Sequence, residues 1–114
     1  MANEFNLQSE VKDNTLIMST VGYINNNGGQ KILEEFNSNY KNGVKSVILN
    51  LSQSKVVNSI GISYLIEVIE KLNNNKGQLI FTNLDSSIEK TFTIMGLFQF
   101  AKKADNLDEA MKLL

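Results

Sequence analysis

Apolar and polar residues alternate over the first part of the chain, which is the period of a β-strand with one buried face. Phe5, Leu7 and Val11 alternate with polar neighbours, and residues 15–21 form a second run rich in apolar and β-branched side chains. Only the polar residues 12–14 separate the two runs. The pattern predicts two short strands joined by a tight turn.

After the second strand the pattern changes from a strand period to a helical one. Residues 25–29 contain only Asn and Gly, which is typical of a loop. The apolar residues that follow recur at helical spacing and predict a helix that stops near residues 42–43. A near-continuous apolar run over residues 44–51 then favours a strand covered by helices on both faces. We expect this strand to be central.

The most strongly patterned helix follows residues 56–61 and extends to about Asn74. Its apolar residues repeat at about 100° per residue, so they share one face that should be buried. They are Ile62, Leu65, Ile66, Ile69 and Leu72. The opposite face is polar.

The last part of the chain repeats the strand and helix periods. Residues 78–84 are predicted as a strand, and Ser86 and Glu89 form a capping-box pattern that opens a helix with Met95 facing inward. Gly96 should end that helix. Residues 98–102 favour a short edge strand, and a last helix begins near residues 105–106, with these inward residues: Leu107, Ala110, Met111 and Leu114.

This order of elements predicts an α/β domain with a mixed sheet of four to five strands and about four α-helices. Strands joined by a crossover helix pair in parallel, whereas the first two strands pair antiparallel. The 114 residues amount to one domain, and we expect it to span residues 1–114.

Charge and hydropathy narrow the partners of this domain. Eleven basic and twelve acidic residues leave a net charge of -1, and no lysine run forms the basic surface that nucleic acid or an anionic membrane requires. The sequence shows no secretion signal and no apolar run near 18 residues. A cytoplasmic protein with neither a nucleic-acid nor a membrane partner is therefore expected.

The absent residue types exclude most catalytic chemistry. Without His or Cys, the chain offers no His/Cys zinc site, no Cys nucleophile, no Ser-His-Asp triad and no disulfide. The residue pair Gly28-Gly29 lacks the spacing of a phosphate-binding loop. The acidic residues near predicted helix starts favour caps over a metal site or a catalytic pair. We expect no enzyme activity, no metal and no cofactor.

Five short segments give the chain a family resemblance. In order and spacing they resemble the STAS domain of bacterial anti-sigma-factor antagonists, over nearly the whole length. They are residues 22–25 (GYIN), 47–52 (VILNLS), 57–62 (VNSIGI), 93–97 (TIMGL) and 106–110 (NLDEA).

The resemblance implies a switchable binding module. An unphosphorylated anti-sigma-factor antagonist binds an anti-sigma factor that is also a serine kinase, and so frees a sigma factor; phosphorylation by that kinase breaks the complex. Other STAS proteins and a phosphatase are further partners that the resemblance allows. A STAS scaffold that is never phosphorylated is the alternative function, and an enzyme or small-ligand carrier is a third.

Ser59 stands where the family has its phosphorylated Ser or Thr, and Gly61 stands at the glycine of the same motif. A phosphate at a helix start meets unpaired backbone N–H groups, so it would be accommodated there. Ser is also a favoured N-cap. The sequence leaves both interpretations open: Ser59 as a phosphorylation site, or as a helix cap alone.

The chain departs from the family at three positions that commonly hold Asp: Asn25, Asn50 and Asn58. Asn keeps the shape of Asp but drops its charge. Compositional drift explains this in an Asn-rich chain, and a site whose phosphorylation is slowed or lost explains it equally. Asn25 and Asn58 are expected to support the site.

Partner contacts are expected on the helix that follows Ser59. Ile60 lies on its first turn, and Tyr64 and Val68 lie at the edge of the apolar stripe, turned toward the polar side. Their partial exposure would make a contact surface. The alternative is that Tyr64 and Val68 pack under a neighbouring helix or loop.

Overall fold

A β-hairpin opens the structure, a computed structural model that describes residues 5–114. Strand β1 (Asn6–Lys12) pairs antiparallel with β2 (Thr15–Val21). Asp13 and Asn14 form the turn with φ of 52° and 67°. Two consecutive left-handed residues are the geometry of a type I′ turn, whose twist matches that of the strands. The predicted hairpin is confirmed.

Helices and strands alternate after the hairpin. The elements are α1 (Asn26–Tyr40), β3 (Ser46–Gln53), α2 (Ser59–Asn74), β4 (Gln78–Thr82), α3 (Ser86–Ile94), a 3₁₀ helix (Leu97–Gln99), β5 (Lys102–Ala104) and α4 (Leu107–Met111). The sheet order is β1-β2-β3-β4-β5, and every pair except β1-β2 is parallel. The prediction of an α/β fold with a mixed sheet and a central third strand is confirmed.

The sheet has one heavily covered face and one lightly covered face. Helices α1, α2 and α3 pack on the first face, around the buried rings of Phe36, Phe81 and Phe92. The second face buries a smaller cluster in which Ala110 of α4 contacts the sheet. Ile48 of β3 belongs to that cluster and is fully buried. The central strand is therefore covered on both faces, as its apolar run predicts.

Two glycines belong to helix α1, so the prediction of a loop over residues 25–29 is wrong beyond Asn25. A Cβ at Gly28 would lie 2.9 Å from the carbonyl oxygen of Tyr23, and one at Gly29 would lie 2.6 Å from the Tyr64 ring. These glycines let the first turn of α1 pack closely on its neighbours. Close packing, not turn formation, accounts for the two glycines here.

Helix α3 begins differently from the predicted capping box. Asp85 is the N-cap, and its carboxylate accepts a hydrogen bond from the Ser87 N–H at 3.1 Å. Glu89 forms an ion pair with Lys103 of β5 instead of reaching back to Ser86. Met95 is half-exposed and not inward-facing, because α3 ends at Ile94 and Gly96 turns the chain with φ of 80°.

The chain end also departs from its predicted pattern. Residues 97–99 form the 3₁₀ helix, and the edge strand begins only at Lys102, so most of the strand predicted over residues 98–102 is wrong. Ala110 is buried, whereas Leu107 and Leu114 are exposed. Helix α4 has only five residues, too few to bury a long stripe. Over residues 5–114, no helix combines the length and the apolar character needed to cross a membrane.

Candidate functional site

Ser59 is the first residue of α2 and its side chain is exposed. It follows β3 at the carboxyl ends of the parallel strands, which is the edge of an α/β sheet where binding sites usually form. Within the described part of the chain, its hydroxyl makes no hydrogen bond. Ser59 therefore presents an exposed hydroxyl at this edge of the sheet.

Asn58, not Ser59, caps helix α2. Its side-chain oxygen accepts a hydrogen bond from the Gly61 N–H at 2.8 Å, and its backbone is extended, as an N-cap requires. The interpretation of Ser59 as a cap alone is therefore wrong. The structure assigns the two roles to two residues: Asn58 caps the start of α2, and Ser59 presents an exposed hydroxyl.

Gly61 has a steric reason to be glycine. A Cβ at this position would overlap the carbonyl oxygen of Ile24, and the same oxygen accepts a hydrogen bond from the Asn58 N–H at 3.2 Å. The first turn of α2 is thus pressed against the loop between β2 and α1. Any larger residue at position 61 would push Ser59 away from that loop.

Backbone hydrogen bonds join the β2–α1 loop to the β3–α2 loop. The Gly22 N–H donates to Gln53 and the Ile24 N–H donates to Val56, each at 2.9 Å, and Ile24 forms an isolated parallel bridge with Val57. The two loops are therefore held in a fixed relative position, and the starts of α1 and α2 lie side by side.

A buried hydroxyl pair lies beneath these loops. The side-chain oxygens of Thr20 and Ser54 are 2.6 Å apart, and both residues are buried. The pair lies where the β2–β3 register shifts between Ser19 and Val21. Bulges of this kind redirect a strand near functional sites. Here β3 continues past the shift to the Val21–Gln53 pair, and the loop that leads to Ser59 follows.

Asn25 caps α1 as Asn58 caps α2, since its side chain accepts from the Gly28 N–H at 3.1 Å. Neither α1 nor α2 has an acidic residue in its first turn. The positive ends of both helix dipoles are therefore not neutralised by a nearby carboxylate of the same helix. A phosphate on Ser59 would meet favourable backbone dipoles.

Asn50 lies within strand β3 and not at a helix start. Its side chain accepts a hydrogen bond from the Ser52 N–H at 2.9 Å, and it shares a sheet face with Ile48, two residues earlier. Of the three asparagines, Asn25 caps α1 and Asn58 caps α2, whereas Asn50 caps neither helix.

The predicted partner residues have three different environments. Ile60 is 51% exposed. Tyr64 is half-buried against Gly29 and donates its hydroxyl proton to the Asn26 side chain at 2.9 Å. Val68 is fully buried in the main core, so the expectation that it is exposed is wrong. Val68 packs inside the core beneath the neighbouring helix, and only Ile60 offers a freely exposed side chain.

A cleft between the two loops supplies apolar residues that the sequence did not single out. It has a volume of about 590 Å³, and Tyr23 and Val56 line it with 41% and 56% of their surfaces exposed. The available signal was an apolar side chain in each loop that follows a parallel strand. Lys55 also lines the cleft and, within residues 5–114, is the one charged side chain of its lining.

Asp85 lies near Lys55 at the same edge of the sheet. Hydrogen bonds from the Ser87 side chain and backbone lower the pKa of Asp85, and the nearby Lys55 charge lowers it further. Over the described residues, no group of three or more acidic side chains could hold a metal ion. The site presents a free hydroxyl, two helix starts and an apolar cleft.

Comparison with known proteins matches this arrangement to a family. BtrV of Bordetella bronchiseptica, which carries the name of an anti-sigma factor antagonist, is 22% identical over 98 residues, covering 86% of this chain and 84% of that protein. An anti-sigma factor antagonist from Mycobacterium paratuberculosis superposes with a TM-score of 0.83 at 17% identity, covering 96% of this chain and 93% of that one.

A second solved structure is the phosphorylated form of the Bacillus cell fate determinant SpoIIAA. It superposes with a TM-score of 0.74 at 20% identity, and the match covers 96% of this chain and 98% of that one. The sequence profile of the STAS domain matches residues 6–110. The chain therefore belongs to the STAS domain family.

Proposed function

We propose that the chain is a cytoplasmic anti-sigma factor antagonist. Its unphosphorylated form binds an anti-sigma factor that is also a serine kinase, and so releases a sigma factor; phosphorylation of Ser59 ends the binding. The exposed hydroxyl of Ser59, which has no hydrogen-bond partner among the described residues and follows Val56 of the cleft lining by three positions, is the observation that carries this proposal. The names of the STAS relatives support the same class of partner.

Phosphorylation would act on the surface and not on the fold. A phosphate adds about -1.5 to -2 charge at neutral pH, which is costly to bury in an interface unless it is paired. Ser59 is exposed, and its helix is capped by Asn58, so the fold does not depend on the Ser59 hydroxyl. One modification therefore removes the partner while the domain stays folded.

The test uses the serine-kinase anti-sigma factors of the same organism, each purified and incubated with this chain and Mg-ATP. Intact mass and peptide mapping should place one phosphate on Ser59. Ser59→Ala should bind the kinase persistently, and Ser59→Glu should bind at least tenfold more weakly, because a carboxylate carries part of the phosphate charge.

Ser63→Glu is the matched control, since Ser63 is exposed one turn later on the same helix. It should bind more tightly than Ser59→Glu. Phosphate on another residue, or wild-type affinity for both Ser59 variants, would contradict the proposal.

A STAS scaffold that is never phosphorylated is the second candidate, favoured by an exposed apolar patch away from Ser59. Ile94, Met95 and Phe100 are 74%, 50% and 63% exposed, and exposed apolar patches often mark protein contacts. Light scattering on the pure protein tests this candidate: stable assemblies that Phe100→Ser dissociates would favour the scaffold.

A further inference from the structure

The cleft between the two loops has a distinctive charge balance. Among the described residues, its lining contains Lys55 and no carboxylate. The first turns of α1 and α2, which follow these two loops along the chain, contain no acidic residue either. Asp85 is the carboxylate whose pKa responds to Lys55, and it lies at the start of α3, outside the cleft lining. The unmodified cleft therefore favours a negatively charged occupant.

The proposed release of the partner on phosphorylation also indicates a negatively charged occupant. A phosphate on Ser59 adds negative charge three residues along the chain from Val56, which lines the cleft. A basic segment of a partner would be attracted by that phosphate, whereas an acidic segment would be repelled. Because phosphorylation is proposed to end the binding, an acidic segment accounts for release without any change of fold.

The walls of the cleft define the rest of the occupant. Tyr23 and Val56 are exposed apolar side chains on opposite loops, and Ile60 is exposed on the turn that carries Ser59. Large apolar side chains that fill such clefts provide most of the affinity of an interface, and charges near the rim mainly set specificity and association rate.

We propose that the cleft binds a segment of the anti-sigma factor in which a large apolar side chain lies next to Asp or Glu. The apolar side chain packs between Tyr23 and Val56, and the carboxylate pairs with Lys55. Asn25 keeps the rim neutral. This inference rests on the proposed function and names the chemistry of its partner.

The experiment measures binding of the same purified anti-sigma factor kinase to three charge variants, without ATP, at low and near-physiological ionic strength. Lys55→Glu should weaken binding about tenfold at low salt, mainly through slower association, and the difference should shrink as salt is added. Asn25→Asp should weaken binding about threefold, because Asp still caps α1 but adds a negative charge to the rim.

Lys45→Glu is the matched control. It is the same charge reversal on an exposed lysine at the other end of β3, roughly 25 Å along the strand. At near-physiological ionic strength the screening length of about 8 Å is much shorter than that distance, so its affinity should there equal the wild-type value. Thermal unfolding of each variant verifies that it is folded.

The results separate the two proposals. If the wild type binds and Ser59→Glu does not, but Lys55→Glu binds as well as or better than the wild type, the acidic segment is excluded and the proposed function stands. If Lys45→Glu weakens binding as much as Lys55→Glu, net charge and not the cleft is responsible, and the acidic segment is again excluded. If the wild type binds no anti-sigma factor kinase, both proposals fail.

Discussion

Helices α2 and α3 begin in the same context but by different means. Each follows a parallel strand, starts at a serine and is capped by the residue before that serine. The cap of α3 is the charged Asp85, and Glu89 adds a second carboxylate in its first turn. The cap of α2 is the neutral Asn58, and no acidic residue lies in its first turn.

The two helix starts differ in what fixes them: charge stabilises the start of α3, and close contact positions the start of α2. Carboxylates at the start of α3 complement the helix dipole, so that start is stabilised electrostatically. The start of α2 forgoes this stabilisation and is instead fixed sterically, by the contact of Gly61 with Ile24 and by the backbone bonds between the two loops. The start of α2 therefore holds the Ser59 hydroxyl in a fixed position, next to backbone dipoles that no carboxylate of the first turn neutralises.

The largest expected effect tests the steric contact that fixes the start of α2. Gly61→Ala should destabilise the fold by about 3 kcal/mol, since the new Cβ overlaps a backbone oxygen that cannot rotate away. In an open helix the same change would stabilise by about 1 kcal/mol. Urea denaturation measures the difference.

Gly43→Ala is the control for Gly61→Ala. Gly43 has φ of 98° with no atom near its would-be Cβ, so only backbone strain of about 1–2 kcal/mol opposes alanine there. A Gly61→Ala protein as stable as Gly43→Ala would show that the two loops are not held rigidly.

A smaller effect separates the two residues at the start of α2. Asn58→Ala should cost about 1 kcal/mol of stability, because the Gly61 N–H loses its acceptor. Ser59→Ala should stay within about 0.5 kcal/mol of the wild type, since the Ser59 hydroxyl makes no hydrogen bond among the described residues. If thermal unfolding shows that Asn58→Ala and Ser59→Ala lose the same stability, the Ser59 side chain also stabilises the start of α2.

The smallest effect concerns pH and distinguishes the charged cap from the neutral one. The pKa of Asp85 is lowered from 3.8 by its hydrogen bonds to Ser87, so its ionised form stabilises the folded state. That contribution is complete above the unfolded pKa and is lost as pH falls through the lower folded pKa. Stability of wild type and Asp85→Asn should therefore converge below about pH 3.8.

Asn58→Gln is the control for this pH series. It changes the neutral cap of α2, so its difference from wild type should stay constant with pH. A gap between wild type and Asp85→Asn that is the same at every pH would show that the Asp85 carboxylate contributes no more than its shape.

The sequence predicted the sheet because its signals were periodic and local. The apolar run around Ile48 and the short break at residues 12–14 each determined an element without distant information. The Asn-Gly run at residues 25–29 could not be assigned in this way. Whether Gly28 belongs to a loop or a helix depends on the approach of Tyr23, a contact that no local window contains.

The sequence predicted only part of the surroundings of the candidate site. Ser59 and Gly61 were identified by resemblance, and helix periodicity placed Val68 only at the margin of the buried stripe. The direction in which α1 packs decided that Val68 is buried. Tyr23 and Val56 were missed because they lie 33 positions apart in sequence and form one surface only through backbone bonds between their loops.

Those bonds have an evolutionary consequence. The hydrogen bonds from Gly22 and Ile24 to the loop that precedes Asn58 involve main-chain atoms alone, and they survive most exchanges of the side chains around them. Duplicated genes can therefore diverge at positions 23, 55 and 56 while Ser59 keeps its inherited geometry. If the proposed function holds, paralogous proteins in one cell become insulated from each other by changing the side chains around Ser59 and leaving Ser59 where it is.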